Sequence, residues 1–157
     1  MIPELNKSIV NRWYDEVANA GNSEVADDLF VDNYVDHSPP SPSEVWPTGA
    51  EGARQSLATY RAAFPDLHFI VDHMVAEGDD VAVRYTFEGT HRGPFLGVPA
   101  TGNHVRFTGI SLYRILGDKI VESWSEFDLL AVIRQLGSWP ESERPGAESP
   151  GEIGPVL

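Results

Sequence analysis

The spacing of apolar residues divides this chain into helical and strand-like segments. Near the N-terminus, Val10, Trp13, Tyr14 and Val17 lie three or four positions apart. That spacing puts all four side chains on one face of a helix, and Gly21 is placed to end it. The first segment is therefore predicted to be an amphipathic helix whose apolar face is buried.

Two more helices are predicted before the period changes. Ser23 is placed to cap a short second helix, and Thr48 to cap a third helix that ends at Pro65. Residues 34–49 separate these helices and contain four prolines, so a loop is predicted there.

Beyond Pro65, apolar and polar residues alternate with the period of a strand. Residues 67–75 and 81–88 flank a short turn and predict a hairpin, with Val71 and Val75 on the same side of its first strand. Residues 104–115 and 120–127 predict a second hairpin.

The remaining segments are a long loop, a last helix and a tail. The loop, 90–103, contains Gly and Pro throughout. Leu129, Leu130, Ile133 and Leu136 return to helical spacing, and Gly137 suits the C-terminal cap. This order of helices, strand meander and short helix predicts an α+β fold, in which helices cover one face of a curved, mostly antiparallel sheet and leave a conical cavity.

Domain boundaries follow from the same pattern. Residues 1–137 are predicted to form one domain, and 138–157, rich in Pro, Gly and acids, a mobile tail in which Trp139 is a candidate for docking.

The composition of the chain limits the classes of partner and the kinds of chemistry that we expect. The 24 acidic and 11 basic residues give a formal net charge of −13, which argues against nucleic acids and anionic membranes as partners. The absence of cysteine excludes disulfides and thiolate catalysis. The five histidines show no metal-binding spacing, and the apolar segments are short, so we expect a metal-free, cytoplasmic protein.

Four stretches carry a resemblance to a known family: "NAGN", "YVDHSP", residues 90–124 with "HRG", "GVPATG" and "GDKIVESW", and "FDLLAVIRQLG". Over residues 6–137 the chain resembles the SnoaL-like polyketide cyclases, or ester cyclases, of the nuclear transport factor 2-like superfamily. The resemblance implies a curved-sheet cone, a homodimer and a cofactor-free enzyme that closes a ring by intramolecular aldol condensation. It also implies that the acid of a W-x-x-x-D pattern is the acid/base, and that pattern is Trp124 and Asp128 here.

The residues themselves allow two roles for Asp128. Trp124 and Asp128 share a strand face unless a bulge intervenes, but Glu122 and Glu126 have the same parity. Flanking Phe127 and Leu129 predict a desolvated carboxyl with a raised pKa, which suits proton transfer near neutral pH. The alternative is that Asp128 caps the last helix.

Five other residues are candidate substrate contacts. His37 is a candidate partner for a substrate carbonyl or for Asp128, and Trp124 a candidate pocket wall. Tyr14 is a core residue whose hydroxyl is within possible reach of the cavity. His91 and His104 flank the long loop and are expected to serve its structure first and a substrate second.

Three functions remain open from the sequence. The first is a cyclase acting on a polyketide or another small, hydrophobic, carbonyl-rich substrate. The second is another acid–base enzyme of the same fold, such as an isomerase, an epimerase, a hydratase or an epoxide-opening enzyme, the last requiring an acid–Arg–acid trio in the cavity. The third is a non-catalytic small-molecule-binding protein.

Overall fold

A computed structural model describes residues 2–38 and 45–137. The predicted tail, including Trp139, lies outside the described residues. In the described part, four helices and five strands follow one another along the chain. They are α1 (Ile2–Arg12), extended by a π-helical segment (Trp13–Asn19), a 3₁₀ turn (Ser23–Val25) leading into α2 (Ala26–Leu29), β1 (Phe30–Asp36), α3 (Gly49–Ala63), β2 (His68–Glu77), β3 (Asp80–Thr90), β4 (His104–Leu116), β5 (Lys119–Phe127) and α4 (Leu129–Leu136).

The five strands form one sheet in the order β1-β5-β4-β3-β2. Strands β2 to β5 pair antiparallel through the two predicted hairpins, whereas β1 runs parallel to β5. The predicted α+β class with a mostly antiparallel sheet is therefore confirmed. Of the helices in the described part of the chain, none is both long and apolar enough to cross a membrane.

One face of the sheet, here called the inner face, packs against the helices. The predicted helical stripe is confirmed, because Val10, Trp13, Tyr14 and Val17 are all buried. Strands β3 and β4 meet the stripe with alternate residues. Those buried side chains are Val81, Val83, Tyr85, Phe87, Val105, Phe107, Ser111, Tyr113 and Ile115.

Strand β1 was not predicted, and this is the main correction to the fold. Residues 34–36 were expected to belong to a loop, but they end a seven-residue strand in which Val35 and Asp36 pair with Glu122 and Ser123 of β5. The predicted N-cap position of Thr48 is confirmed, but neither Thr48 nor Ser23 acts as a side-chain cap. Ser23 lies inside a 3₁₀ turn, and Thr48, although it precedes α3, makes no side-chain capping bond.

A bulge corrects one residue of β2. The pairing with β3 shifts register between Val71 and His73. Because a one-residue shift exchanges the faces, Val75 is 52% exposed instead of sharing the side of Val71. Met74 packs against the core in its place.

Helix α4 continues the edge of the sheet where β5 ends. The side chain of Gln135 takes the place of a neighbouring strand: it accepts a hydrogen bond from the Arg106 backbone N–H at 2.8 Å and donates to the Arg106 carbonyl at 2.7 Å. The predicted C-terminal cap is confirmed, since Gly137 has a φ of 70°.

His91 links the two ends of the loop between β3 and β4 through hydrogen bonds. Its backbone N–H donates to the Asn103 carbonyl, and its own carbonyl accepts from Gly102 N–H. The imidazole Nδ1 accepts from Thr101 N–H at 3.2 Å, while Nε2 is buried and finds no partner among the described residues. The loop therefore closes on a buried imidazole.

Candidate functional site

The inner face carries a cluster of hydroxyl groups inside an otherwise aromatic core. Tyr34 and Ser123 hydroxyls lie 2.7 Å apart, and so do those of Ser111 and Ser125. The cluster joins β1, β3, β4, β5 and the π-helical segment after α1, and we call it the inner hydroxyl cluster. Its members are Tyr14, Tyr34, Tyr85, Tyr113, Ser111, Ser123 and Ser125.

Two tyrosines in this cluster form a hydrogen-bonded pair. The Tyr113 hydroxyl donates to the Tyr14 hydroxyl at 3.0 Å, and both side chains are buried. The prediction that Tyr14 is a core residue is confirmed, and the expectation that its hydroxyl reaches a cavity stays a prediction. Because Tyr14 accepts from Tyr113, its own O–H is available to donate.

A glycine makes room for another phenol. Tyr85 lies directly opposite Gly109 across β3 and β4. A Cβ at Gly109 would be 2.3 Å from the Tyr85 hydroxyl, which no side chain permits. Gly109 thus lets the Tyr85 ring lie flat across the inner face, with its hydroxyl towards Ser111.

Burial keeps these phenols neutral. Desolvation is the largest influence on Tyr14, Tyr34, Tyr85 and Tyr113, and it raises the pKa of each above its ordinary value. Desolvation likewise raises the pKa of Tyr60, on α3, to about 12. The site therefore presents neutral hydrogen-bond donors within apolar walls, which suits a substrate rich in carbonyl oxygens.

Asp36 is a partly buried carboxyl beside this cluster. It lies at the end of β1, opposite Ser123, and its oxygen Oδ1 accepts from Ser38 N–H at 2.9 Å. Burial raises the pKa of Asp36, and hydrogen bonds from Ser38 and Ser56 oppose that rise. The predictions from sequence missed Asp36 because its strand was assigned to a loop. The motif "YVDHSP" contains Asp36 and is the signal that could have identified it.

Asp128 occupies the alternative position predicted for it, the cap of α4. Its carboxylate accepts a hydrogen bond from Ala131 N–H at 2.9 Å, and the residue is exposed. The expectation that Phe127 and Leu129 desolvate this carboxyl is wrong, because Asp128 faces solvent while Phe127 packs against the core.

Trp124 and His37 lie together, but on the outer face of the sheet. Trp124 is directly opposite Leu112, and the His37 ring stacks on it at 4.7 Å with an angle of 5°. His37 Nε2 is 3.3 Å from Glu122, and the Arg114 guanidinium is 5.4 Å from the Trp124 ring. The predictions of Trp124 as a cavity wall and of His37 as a partner of Asp128 are therefore not supported by the geometry.

Of the two loop histidines, His91 is buried and His104 lies at the surface. His91 is fully buried, lies 5.5 Å from the Phe64 ring at a tilt of 36° and bonds to the loop backbone. His104 begins β4 and is exposed. The bonds of His91 to the loop backbone support the expectation that it serves the loop first, whereas the role of His104 stays a prediction.

A second concave feature in the described part of the chain is lined by acids and an arginine. A cleft of about 290 Å³ lies between β1 and the start of α3, and carboxylates line much of it. Its Arg54 is paired with Asp27 at 2.6 Å. Within residues 2–38 and 45–137, no group of three or more His, Asp or Glu side chains is arranged to hold a metal ion.

Comparisons with known proteins identify the family. The sequence model for SnoaL-like polyketide cyclases matches residues 8–136. Among proteins of curated function, no sequence matches this chain significantly.

Solved structures agree with that match. A proposed SnoaL-like polyketide cyclase from Jannaschia sp. CCS1 is 29% identical, with a TM-score of 0.76 over 88% of this chain and 96% of its own. IdmH, a proposed polyketide cyclase from Streptomyces antibioticus, is 32% identical, with a TM-score of 0.72 over 84% and 98%. AclR, a proposed hydroxylase from Streptomyces galilaeus, is 26% identical, with a TM-score of 0.71 over 86% and 97%. The chain belongs to the SnoaL-like polyketide cyclase family and has its α+β cone fold.

Proposed function

We propose that this protein is a cofactor-free cyclase that closes a ring in a small, carbonyl-rich substrate by general acid–base catalysis. The observation that carries the proposal is the inner hydroxyl cluster, in which neutral phenols and serine hydroxyls converge inside aromatic walls. Donors of this kind bind carbonyl oxygens and stabilise an enolate formed from them. The apolar walls hold a flexible chain folded, so that its reacting carbons meet.

The proposed reaction is an intramolecular aldol condensation. A carboxylate removes a proton from a carbon between two carbonyl groups, and the C–H electron pair forms an enolate. The enolate carbon bonds to a second carbonyl carbon of the same chain, and the resulting alkoxide takes a proton from the carboxylic acid. The family pattern assigns this acid/base role to Asp128, and we retain it as part of the proposal.

A substitution at Asp128 separates catalysis from capping. Asp128→Asn keeps a side-chain oxygen for Ala131 N–H, because Asn caps helices about as well as Asp. We expect turnover to fall roughly 10²-fold or more, while the melting temperature changes little. Asp128→Ala is the control, since it removes the cap as well and destabilises the fold by about 1 kcal/mol.

Simple synthetic poly-carbonyl compounds serve as substrates in the assay. Linear tri- and tetra-β-carbonyl thioesters are incubated with the protein, and chromatography with mass spectrometry detects cyclised products of unchanged mass or of mass lowered by one water. Turnover of Asp128→Asn equal to wild type would remove Asp128 from the mechanism. Failure of the wild-type protein to cyclise any member of the series would argue against ring closure itself.

The alternative functions require other residues in the cavity or predict another result in the assay. An epoxide-opening enzyme requires an arginine between two acids in the cavity, but Arg84, Arg106 and Arg114 lie on the outer face, each paired with an acid. A binding protein would hold carbonyl compounds without converting them.

We also propose that the protein forms a homodimer through the outer face. Val35 and Ile110 are 38% and 55% exposed there, beside the partly exposed Trp124. Light scattering after size-exclusion chromatography should give twice the monomer mass. Ile110→Glu should yield monomers, whereas Leu130→Glu, a comparably exposed position on α4, should leave the dimer intact.

A further inference from the structure

Asp36 differs in its surroundings from Asp32, the other acid of β1. Tyr34 faces inward to Ser123, and Asp36, two residues later on the same strand, lies on the same side. Asp32, four residues before Asp36, is exposed. Asp36 is thus a carboxyl that the sheet directs towards α3 and the inner hydroxyl cluster.

Two elements surround this carboxyl. From α3, Ser56 favours the ionised form of Asp36, and the Asp36 charge opposes ionisation of the Tyr60 phenol. Near the end of β1, the Asp36 charge also opposes ionisation of Tyr34, and His37 is near enough to favour the ionised carboxylate of Asp36. Asp36 keeps partial exposure, so a small molecule has access to it.

A purely structural role would be an Asx turn. The bond from Ser38 N–H to Oδ1 of Asp36 spans two residues, as such turns do. That role needs an acceptor oxygen but no ionisable group, and Asn would serve it equally. It gives no reason for a carboxylate beside two phenols, where desolvation opposes its charge.

We propose that Asp36 is a second proton-transfer carboxyl of this protein, placed to take a proton from a carbon acid bound against the inner hydroxyl cluster. The carboxylate oxygen forms the O–H bond as the C–H bond breaks, and the electron pair stays with the substrate as an enolate. The Asp36 carboxylic acid returns the proton to the alkoxide after ring closure. Asp36 is then a second candidate for the two proton transfers that the family pattern gives to Asp128.

This assignment deepens the acid–base chemistry proposed above and rests on it, so its test must not depend on ring closure. The probe is 5-nitrobenzisoxazole, a flat apolar carbon acid. A base removes its C3 proton, the C–H pair forms the nitrile, and the N–O bond breaks to release a coloured phenolate. The probe reports proton removal alone.

Three proteins are compared: wild type, Asp36→Asn and Asp32→Asn. Asn preserves the acceptor of the Asx turn at position 36, and melting curves check that the variant folds. Asp32→Asn is the matched control, since it removes an exposed carboxylate from the same strand. We expect wild type to exceed an equal concentration of acetate, Asp36→Asn to lose at least about tenfold of the rate, and Asp32→Asn to keep it.

The pH profile is a second readout. Because burial raises the pKa of Asp36, the wild-type rate should rise with pH through a pKa above the ordinary aspartate value of 3.8, and the Asp36→Asn variant should lack that step. A folded Asp36→Asn variant with the wild-type rate would overturn the proposal, as would a wild-type rate no greater than that of acetate. Ring closure can fail in the thioester assay while this assay succeeds, so the two proposals fail separately.

Discussion

The hydrogen bonds between Gln135 and Arg106 allow a quantitative test of how α4 is attached to the sheet. Beyond Phe127, in the part of the chain that the structure describes, the edge of β4 has no strand beside it. The Gln135 amide fills that position with one accepted and one donated bond. Gln135→Ala removes both bonds and leaves the Arg106 N–H and carbonyl to water. It also removes a bond within α4, from the Gln135 amide to the Ala131 carbonyl, for which the glutamine control below is matched.

The size of the effect follows from those two bonds. Each contributes about 0.5–1.5 kcal/mol, so the variant should lose roughly 1–3 kcal/mol of unfolding free energy. For a chain of this length, that corresponds to a melting temperature lower by about 2–10 °C. Gln55→Ala is the matched control, because Gln55 is an exposed helical glutamine whose side chain bonds only to Glu51 of its own helix. The Gln55→Ala variant should lose about 0.2–0.5 kcal/mol of unfolding free energy.

Urea denaturation measures the unfolding free energies of the two variants, and hydrogen exchange identifies the part of the sheet that is weakened. In Gln135→Ala, the Arg106 amide should exchange much faster, while the Phe107 amide within the sheet keeps its protection. If the Arg106 amide stays protected, or if the two Gln→Ala variants lose equal stability, then the Gln135 side chain does not anchor the edge.

Two further predictions concern buried residues. Gly109→Ala would bring a Cβ to 2.3 Å from the Tyr85 hydroxyl and 2.8 Å from the Glu126 carbonyl, so urea denaturation should show a loss of about 1–3 kcal/mol; no loss would mean that the Tyr85 ring moves freely. Burial lowers the pKa of His91 below 6.5, so the neutral form is favoured in the folded state. Stability should therefore be intact above about pH 6.5 and fall below it, and His91→Gln, followed by denaturation between about pH 5 and 8, should show a smaller fall.

Local patterns were sufficient for most of the fold. The helical stripe of Val10 to Val17 and the alternation in β3 and β4 each follow from burial of one face, which the sequence displays directly. Strand β1 was missed because only Phe30 and Tyr34 in it are buried, while acids and prolines around it favour a loop. Its pairing with β5 supplies what local propensity lacks.

Alternation alone could not predict which side chains of β5 face inward. The choice of candidate site residues depended on that assignment. Trp124 and Asp128 share parity as expected, but a bulge between Arg114 and Ile115 reverses the faces partway along the hairpin. Ile120 and Ser123 are consequently both buried, although three residues apart. Ser123 and Ser125 then face inward beside tyrosines from neighbouring strands, and the larger Trp124 faces outward.

The parallel pairing of β1 with β5 also sets the order in which the chain can assemble during synthesis. Phe30 leaves the ribosome roughly ninety residues before its partner Ile120. At bacterial or eukaryotic elongation rates, that gap is on the order of ten seconds. Throughout that time β1 presents unpaired backbone groups and an apolar side, which invites chaperone binding or aggregation. Tyr34 and Asp36 reach their places only when β5 arrives, so a nascent chain acquires its candidate site at the last step of folding.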